Sequence, residues 1–356
     1  MRTILLNPGP VSLSPGVRAA LARPDLCHRE PEFATLQDGL RAKLLAVEGL
    51  DPASWAAVLL TGSGTAAVEA MLVSCVPAQG RVLVVENGVY GERMQRICAA
   101  YGIAHERVRA AWSDAIDITA VRNALAATPC THVAVVHHET TTGRLNDLAA
   151  LAAVCREHGA RLLVDAVSSF GAERIAFADW DIDACAATAN KCLHGVPGTA
   201  FVIVRRAALD AAPTRAVYLD LADYLVRQDA HGTPFTQSVQ TFYALDAALD
   251  EFFAAGGRAA RHALFANRMA RIRTHLEALG VRGLLPVADC SCVLQAFALP
   301  AGHTYTSLHD ALKERGFVIY AGQGALSAQV FRISLMGDIG EDDLARLEAA
   351  LTDCLD

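Results

Sequence analysis

Charged residues are scarce in this chain, and the basic ones are mostly arginine. Charged residues make up 19% of the 356 residues and hydrophobic residues 53%, and the formal net charge is −7. A nucleic-acid ligand requires a basic face, so this balance argues against such a partner. The same composition indicates a globular chain with a large core rather than a disordered one.

Long apolar runs and closely paired cysteines are also missing. No stretch approaches the roughly 20 apolar residues that span a bilayer, and residues 1–10 lack the apolar run of a secretory signal. We therefore expect no membrane partner and, by default, a cytoplasmic location. The ten cysteines form no Cys-x-x-Cys pair, and the spacing of Cys290 and Cys292 suits neither zinc nor a redox pair. We predict no metal site and ten reduced cysteines that pack in the core.

Apolar, β-type runs alternate with alanine-rich helical windows over the first two thirds of the chain. Strands are predicted at 58–61, 81–86, 132–137, 161–165, 184–188 and 199–204. This alternation predicts an α/β fold with a mostly parallel central sheet. After Asp246 a long helical stretch reaches Leu279, and short strands (291–298, 318–320 and 330–334) then alternate with helices.

The change in the predicted secondary structure after Asp246 indicates how the chain is divided into domains. We expect an N-terminal segment (1–15) near the functional site, a large domain (16–245) and a small α+β C-terminal domain (246–356). No Ser- or Pro-rich linker separates the last two. They should therefore pack tightly, with a ligand site between them.

Only three lysines occur, which narrows the search for a reactive amine. Lys43 and Lys313 lie in helical patterns that place them in solvent. Lys191 instead follows an apolar strand and precedes a Gly-Val-Pro-Gly turn, where a free ammonium is costly unless it is bonded or paired. A Schiff base would remove that charge and activate the nitrogen. The alternative is a lysine whose amine reaches the surface.

Two further strand ends carry polar groups that could bind a ligand. Gly62–Thr65 is a tight turn before a helix, with hydroxyls and free N–H groups that can bind an anion. Asp165 ends the 161–165 strand at the edge where ligands of parallel sheets collect. Its carboxylate could hold a pyridine nitrogen protonated, as pyridoxal 5'-phosphate requires, or it could simply cap the next helix.

Two more segments offer contacts to such a ring. Tyr90 follows the 81–86 strand and could stack on the ring or pack beside its turn. Three consecutive threonines follow the 132–137 strand and could bond a phenolic oxygen.

The motifs together resemble the class V aminotransferases of fold type I, the pyridoxal-phosphate-dependent transferases. The resemblance covers nearly the whole chain, in order. The segments that carry it are Asn7–Pro10, Gly62–Thr65, Glu139–Gly143, Val164–Phe170, Ala189–Cys192 and Phe331–Ile333. Two segments depart from the pattern, 27–33 and 235–238, and both border the substrate in the family.

The resemblance implies a role for each matching residue. Lys191 and Asp165 would be catalytic, with Lys191 carrying the cofactor and Asp165 bonding its ring nitrogen. The other implied cofactor contacts are Ser63, Gly64, Thr65, Tyr90, Thr141 (beside Thr140 and Thr142 as alternatives) and Thr236. Thr236 would act across a homodimer with shared sites. The implied substrate contacts are Arg332, Asn7, Gly9 and Arg29.

Within the family, the similarity is closest to members that act on phosphonates. It implies transfer of an amino group from 2-aminoethylphosphonate to pyruvate, or the reverse reaction. An alanine–glyoxylate or serine–pyruvate type of aminotransferase shares every cofactor motif and stays open. A cysteine desulfurase would need a cysteine on the 321–327 loop, which has none. A non-catalytic binding module would be expected to lack Lys191 or Asp165, and both are present.

Overall fold

The computed structural model describes residues 2–210, 213 and 215–355. The strands are β1 (Ile4–Leu5), β2 (Trp55–Gly62), β3 (Arg81–Glu86), β4 (Ala104–Arg109), β5 (His132–Val136), β6 (His138–Glu139), β7 (Arg144–Leu145), β8 (Arg161–Asp165), β9 (Ile182–Thr188), β10 (Gly198–Arg205), β11 (Leu294–Ala298), β12 (Phe317–Val318), β13 (Tyr320–Ala321) and β14 (Val330–Ser334). The helices are α1 (Pro15–Ala20), α2 (Pro31–Ala46), α3 (Gly64–Cys75), α4 (Val89–Ala100), α5 (Ile118–Ala127), α6 (Leu148–Glu157), α7 (Leu221–Asp229), α8 (Val239–Ala254), α9 (Gly257–Ala278), α10 (Tyr305–Glu314) and α11 (Glu341–Leu355). None of these helices has both the length and the apolar composition needed to cross a membrane.

Seven strands form the central sheet, in the order β2-β10-β9-β8-β5-β3-β4. The pairs from β9 to β4 are parallel, whereas β10 runs antiparallel to both β9 and β2. Alternate residues of the strands enter two separate cores: Leu59 and Leu83 belong to one, Val58 and Val82 to the other. Both faces of the sheet are therefore covered, and the predicted α/β fold with a mostly parallel sheet is confirmed.

The reversed strand β10 brings two loops to one edge of the sheet. Its first residue, Gly198, lies opposite Gly62, the last residue of β2. The loop that enters β10 therefore lies beside the loop that leaves β2. Lys191 is in the first loop and Ser63 is in the second, so two predicted site segments meet.

Strand prediction succeeded for the buried strands and failed for the exposed edge strand β4. The predicted bounds 81–86 and 161–165 agree with β3 and β8. Strand β4 was not predicted, because Ala-His-Glu-Arg-Val-Arg is polar and half exposed, as befits an edge strand.

The C-terminal third contains a three-stranded sheet in the order β11-β14-β13. The single strand predicted at 318–320 is wrong: β12 pairs with β1 and β13 pairs with β14, so the chain changes sheets between them. The long predicted helix is two helices, α8 and α9, separated at Gly256 with a φ of +100°.

The predicted division into domains stays a prediction. Helix α8 runs through the boundary proposed at 245/246, and β1 of the N-terminal segment pairs with β12 near the C-terminus.

The ten cysteines are all unpaired, and six of them are buried. Cys27 is exposed, and Cys290, Cys292 and Cys354 are partly exposed. The prediction that all ten are core residues is therefore wrong for Cys27, which precedes α2 in an exposed stretch.

The outer edge of β2 is completed by a side chain. Gln228 of α7 is fully buried, and its amide donates to the oxygen of Leu59 (2.6 Å) and accepts from the nitrogen of Leu59 (3.1 Å). Because β2 is an edge strand, these two backbone groups have no neighbouring strand to bond. Gln228 thus fixes the strand that leads into the Gly62–Thr65 turn.

Replacement of Gln228 by leucine should destabilise the protein. Two buried backbone groups would lose their partners, and we expect the free energy of unfolding to fall by about 2–4 kcal/mol. Urea denaturation followed by circular dichroism measures this change. Gln329→Leu is the matched control, since Gln329 is exposed and, among the described residues, its side-chain amide bonds only the nearby oxygen of Ala325. Equal stability of the two variants would contradict this role for Gln228.

Candidate active site

Lys191 lies in the turn between β9 and β10, at the carboxyl edge of the parallel strands. Its amine donates a hydrogen bond to the main-chain oxygen of Pro8. Burial lowers the pKa of Lys191 to about 8, although the nearby carboxylate of Asp165 acts in the opposite direction. A larger neutral fraction at ordinary pH makes this amine a better nucleophile. Lys43, by contrast, is held between the carboxylates of Asp246 and Asp250.

The N-terminal turn forms one wall around Lys191. Gly9 has a φ of +110°, and a Cβ atom placed there would lie 2.5 Å from Cδ of Lys191 and 2.7 Å from the oxygen of Asn190. Only glycine fits this position without displacing the lysine. Asn7 is buried and donates from Nδ2 to the oxygen of Pro10 at 2.9 Å, which holds the turn closed. Gly9 therefore lies directly beside Lys191, and Asn7 holds the turn that contains Gly9.

A cavity of about 320 Å³ opens beside Lys191. Its lining includes Ser63, Gly64, Thr65, Tyr90, Arg93 and Lys191.

One end of this cavity is built to bind an anion. Helix α3 begins at Gly64 after Ser63, so its first N–H groups have no partner within the helix. Arg93 adds a positive charge and donates to the hydroxyl of Thr65 at 3.0 Å. Helix dipole, free N–H groups, hydroxyls and guanidinium together favour a phosphate group here.

Asp165 ends β8 and is buried near the same cavity. Its Oδ1 accepts a hydrogen bond from the nitrogen of Val167 at 3.0 Å. Burial raises the pKa of Asp165 to about 6, while the charges of Arg93 and Lys191 act to lower it. The carboxyl group is therefore mostly ionised at neutral pH and would stabilise a cation placed next to it.

Thr141 is fixed by a second buried carboxyl group. Its hydroxyl donates to Oε1 of Glu139 at 2.6 Å and accepts from the nitrogen of Val89 at 3.2 Å. Burial raises the pKa of Glu139 to about 7, and its Oε2 has no hydrogen-bond partner within the described residues. The Val89 contact places Thr141 next to Tyr90, which lines the cavity.

Arg332 of β14 connects the C-terminal sheet to the loop 140–143, which contains three consecutive threonines and is called the threonine loop below. It is buried, and it donates from Nε to the oxygen of Ala321 (2.8 Å) and from Nη1 to the oxygen of Thr140 (2.7 Å). Its Nη2 donates no hydrogen bond to the part of the chain that the structure describes, so it can still bind an acid group. Gln323 lies between Arg332 and Thr141, at 3.5 and 3.4 Å.

Two of the residues singled out from the sequence are exposed on the surface of their own chain. Arg29 is exposed and donates to the oxygens of Thr233 (2.7 Å) and Pro234 (3.4 Å). Thr236 is exposed as well. Both belong to one surface region, because the loop bonded by Arg29 continues into Thr236.

Sequence reasoning assigned no role to three residues of this site: Arg93, Glu139 and Gln323. Arg93 lies one helical turn after Tyr90, with its guanidinium carbon 4.8 Å from the centre of the tyrosine ring. That spacing of three residues was a usable signal. Gln323 gave none, because only the tertiary fold brings it between Thr141 and Arg332.

Comparison with known proteins gives consistent relatives. Residues 28–347 match the family model described as Aminotransferase class-V. A 2-aminoethylphosphonate–pyruvate transaminase from Burkholderia pseudomallei (strain K96243) is 41% identical, and the alignment covers 99% of this chain and 96% of that protein. The protein of the same name from Burkholderia thailandensis is 40% identical, with 98% and 95% covered.

Solved structures of aminotransferases are also similar to this chain. Aspartate aminotransferase of subgroup IV from Thermus thermophilus superposes with a TM-score of 0.91 at 32% identity and covers 99% of both chains. Alanine–glyoxylate aminotransferase from Nostoc sp. gives a TM-score of 0.92 at 26% identity, with 100% of this chain and 96% of that chain covered. These similarities confirm the predicted fold type I. The chain belongs to the class V aminotransferase family.

Proposed function

We propose that the chain binds pyridoxal 5'-phosphate in the Lys191 cavity and transfers an amino group from 2-aminoethylphosphonate to pyruvate, giving phosphonoacetaldehyde and L-alanine, or runs the reverse reaction. The observation that carries the cofactor proposal is the cavity itself. It is lined by an anion-binding helix end and an amine of lowered pKa, and by Val167, whose nitrogen bonds the buried carboxylate of Asp165. The names of the curated relatives supply the substrate pair.

The residues present fit this cofactor. Ser63, Gly64 and Thr65 would hold the phosphate at the start of α3, with Arg93 as an additional cation. Tyr90 would stack on the ring and Thr141 would bond its phenolic oxygen. Their neighbouring positions support both roles, since the nitrogen of Val89 bonds Thr141 directly.

Asp165 and Lys191 would have different roles in proton transfer. When bound, pyridoxal 5'-phosphate supplies an electron sink for the electron pair left on the donor carbon. Asp165 would hold the ring nitrogen in its protonated form. The Lys191 amine would take a proton from the donor carbon and deliver it to the cofactor carbon that is bonded to the amino nitrogen, since a pKa of about 8 suits proton transfer near neutral pH.

Arg332 would bind the acid group of the substrate. A guanidinium fork matches a carboxylate or a phosphonate, and two hydrogen bonds to main-chain oxygens already fix its position. Asn7 and Gly9 would line the entrance beside Lys191. Arg29 would contact a phosphonate only after leaving the oxygen of Thr233.

We propose that the protein forms a homodimer with shared active sites. We also propose that it is located in the cytoplasm. The exposure of Thr236, which does not line the cavity of its own chain, suits a contact with the phosphate bound by a second subunit. Ten unpaired cysteines suit a reducing compartment.

A second candidate is an aminotransferase of the alanine–glyoxylate type. The similarity to the Nostoc structure favours it, and Arg332 would bind any small carboxylate equally well. The amino donor distinguishes the two candidates.

Exposure of the cofactor-loaded protein to 2-aminoethylphosphonate alone tests the donor. We expect loss of the visible absorbance of the bound cofactor, and its return when pyruvate is added. Lys191→Ala should show no such cycle, whereas the matched control Lys313→Ala should behave as the unaltered protein. A response to L-alanine or L-serine but none to the phosphonate would contradict the proposed donor and favour the second candidate.

Replacement of Asp165 by asparagine tests the ring-nitrogen contact. Loss of an ionic hydrogen bond of about 3 kcal/mol predicts a kcat lower by about 100-fold. Steady-state kinetics measures this effect, with bound cofactor checked by absorbance. Asp147→Asn is the control, since Asp147 is exposed and caps α6, where asparagine serves equally well. Similar kcat values for both variants would reject the role of Asp165.

Replacement of Arg332 by lysine tests the substrate clamp. A single ammonium cannot reproduce the fork, so we expect the KM for pyruvate to rise by about 10-fold or more, with a smaller change in kcat. Arg122→Lys is the matched control, because Arg122 forms an exposed ion pair with Glu157. An unchanged KM in Arg332→Lys would show that pyruvate is bound elsewhere.

A further inference from the structure

A second cavity, of about 330 Å³, lies against helix α9 and the segment that enters β11. Its lining includes Glu173, His262, Cys290, Ser291 and Cys292, and none of the residues proposed above to bind cofactor or substrate.

Three side chains of different chemistry converge in this cavity. Nδ1 of His262 lies 3.5 Å from Sγ of Cys292 and 3.3 Å from Oε2 of Glu173. One ligand atom from each residue lies within 4.8 Å of the other two. Thiol, imidazole and carboxylate thus meet at one point, although they come from three separate parts of the chain.

Hydrogen bonds to its other oxygen fix the position of the Glu173 carboxylate. Oε1 of Glu173 accepts hydrogen bonds from the hydroxyl of Ser291 (2.6 Å) and from the nitrogen of Cys292 (2.9 Å). Oε2 is therefore directed to the histidine. Such outer contacts orient the ligands of protein metal sites.

The geometry argues against a proton relay of the cysteine–histidine–carboxylate kind. In a relay, one nitrogen of the imidazole faces the nucleophile and the other faces the carboxylate. Here the same atom, Nδ1 of His262, faces both Cys292 and Glu173. The arrangement converges on a common centre instead of forming a chain.

Two of the three separations between the ligand atoms agree with a tetrahedral ion at that centre. Bonds of about 2.3 Å to sulfur and about 2.0 Å to nitrogen and oxygen, at tetrahedral angles, place sulfur and nitrogen about 3.5 Å apart and nitrogen and oxygen about 3.3 Å apart. The separations observed are 3.5 Å and 3.3 Å.

We propose that Glu173, His262 and Cys292 bind a divalent transition-metal ion of the zinc class. Mixed sulfur, nitrogen and oxygen donors suit this class and disfavour Mg²⁺ or Ca²⁺. Three protein ligands leave a fourth position for a water molecule in the cavity. On binding, the Cys292 thiol becomes a thiolate bonded to the metal and its proton passes to solvent.

The site would fix the far end of the threonine loop. Ser291, between Cys290 and Cys292, donates from its nitrogen to the oxygen of Gly143 at 2.9 Å, and Thr141 lies two residues before Gly143. A metal ion would thereby join α9, Glu173 and the start of β11 behind the active site. We expect occupancy to raise the melting temperature, because the three ligands converge in the folded chain, which the ion therefore binds more tightly than the unfolded chain.

Equilibrium dialysis of the tag-free, cofactor-loaded protein against Zn²⁺ tests this proposal. We expect one ion per chain in the unaltered protein and a loss of affinity of at least about 10-fold in Cys292→Ala and in His262→Ala. Cys290→Ala is the matched control: Cys290 lies two residues away, and its thiol is directed to the oxygen of Pro286 at 3.3 Å. It should bind one ion, as the unaltered protein does.

Co²⁺ supplies a second readout that a merely structural effect would not change. The difference spectrum before and after addition of Co²⁺ should contain a thiolate-to-metal band that disappears in Cys292→Ala and persists in Cys290→Ala. Circular dichroism and melting temperature show whether each variant is folded. Failure of the unaltered protein to retain Zn²⁺, or equal binding in Cys292→Ala, overturns the proposal. Neither result bears on the amino-donor experiment, so the two proposals fail separately.

Discussion

The burial of one amine at the carboxyl edge of the sheet is the constraint on which the rest of this site depends. An ammonium in this position is costly to desolvate, and burial accordingly lowers the pKa of Lys191 to about 8. Three surrounding groups offset this cost. The oxygen of Pro8 accepts a hydrogen bond, Asp165 supplies a negative charge, and Gly9 leaves room for the side chain. The same cost makes Lys191 a suitable partner for a carbonyl compound, since an imine removes the buried charge.

The direction of a single strand explains why the other groups meet Lys191. In a wholly parallel sheet, the chain that leaves β9 would have to cross to the opposite edge of the sheet before it entered β10. Because β10 runs antiparallel to both neighbours, its first residue lies beside the last residue of β2. The anion-binding turn and the lysine turn then share one edge, and Asp165 at the end of β8 reaches it from the parallel side. Gln228 keeps β2 in register by bonding its outer edge.

Most of the fold and of the Lys191 site could be predicted from the sequence, because their signals are local. Buried strands such as β3 and β8 are continuous apolar runs, and glycine turns mark the ligand edge. Strand β4 has no such signal, since its residues are polar and half exposed. The Glu173 cluster escaped prediction for a different reason: its members lie in three distant segments, and the near neighbour of Cys292 in the sequence, Cys290, is directed elsewhere.

The central claim is that Lys191, and no other lysine, holds the cofactor. Reduction of the cofactor-loaded protein with borohydride, followed by proteolysis and mass spectrometry, locates the attachment directly. The account predicts a pyridoxyl label on the peptide that contains Lys191 and none on those that contain Lys43 or Lys313. A label on either of the other lysines, or stoichiometric cofactor with no labelled lysine, would contradict it.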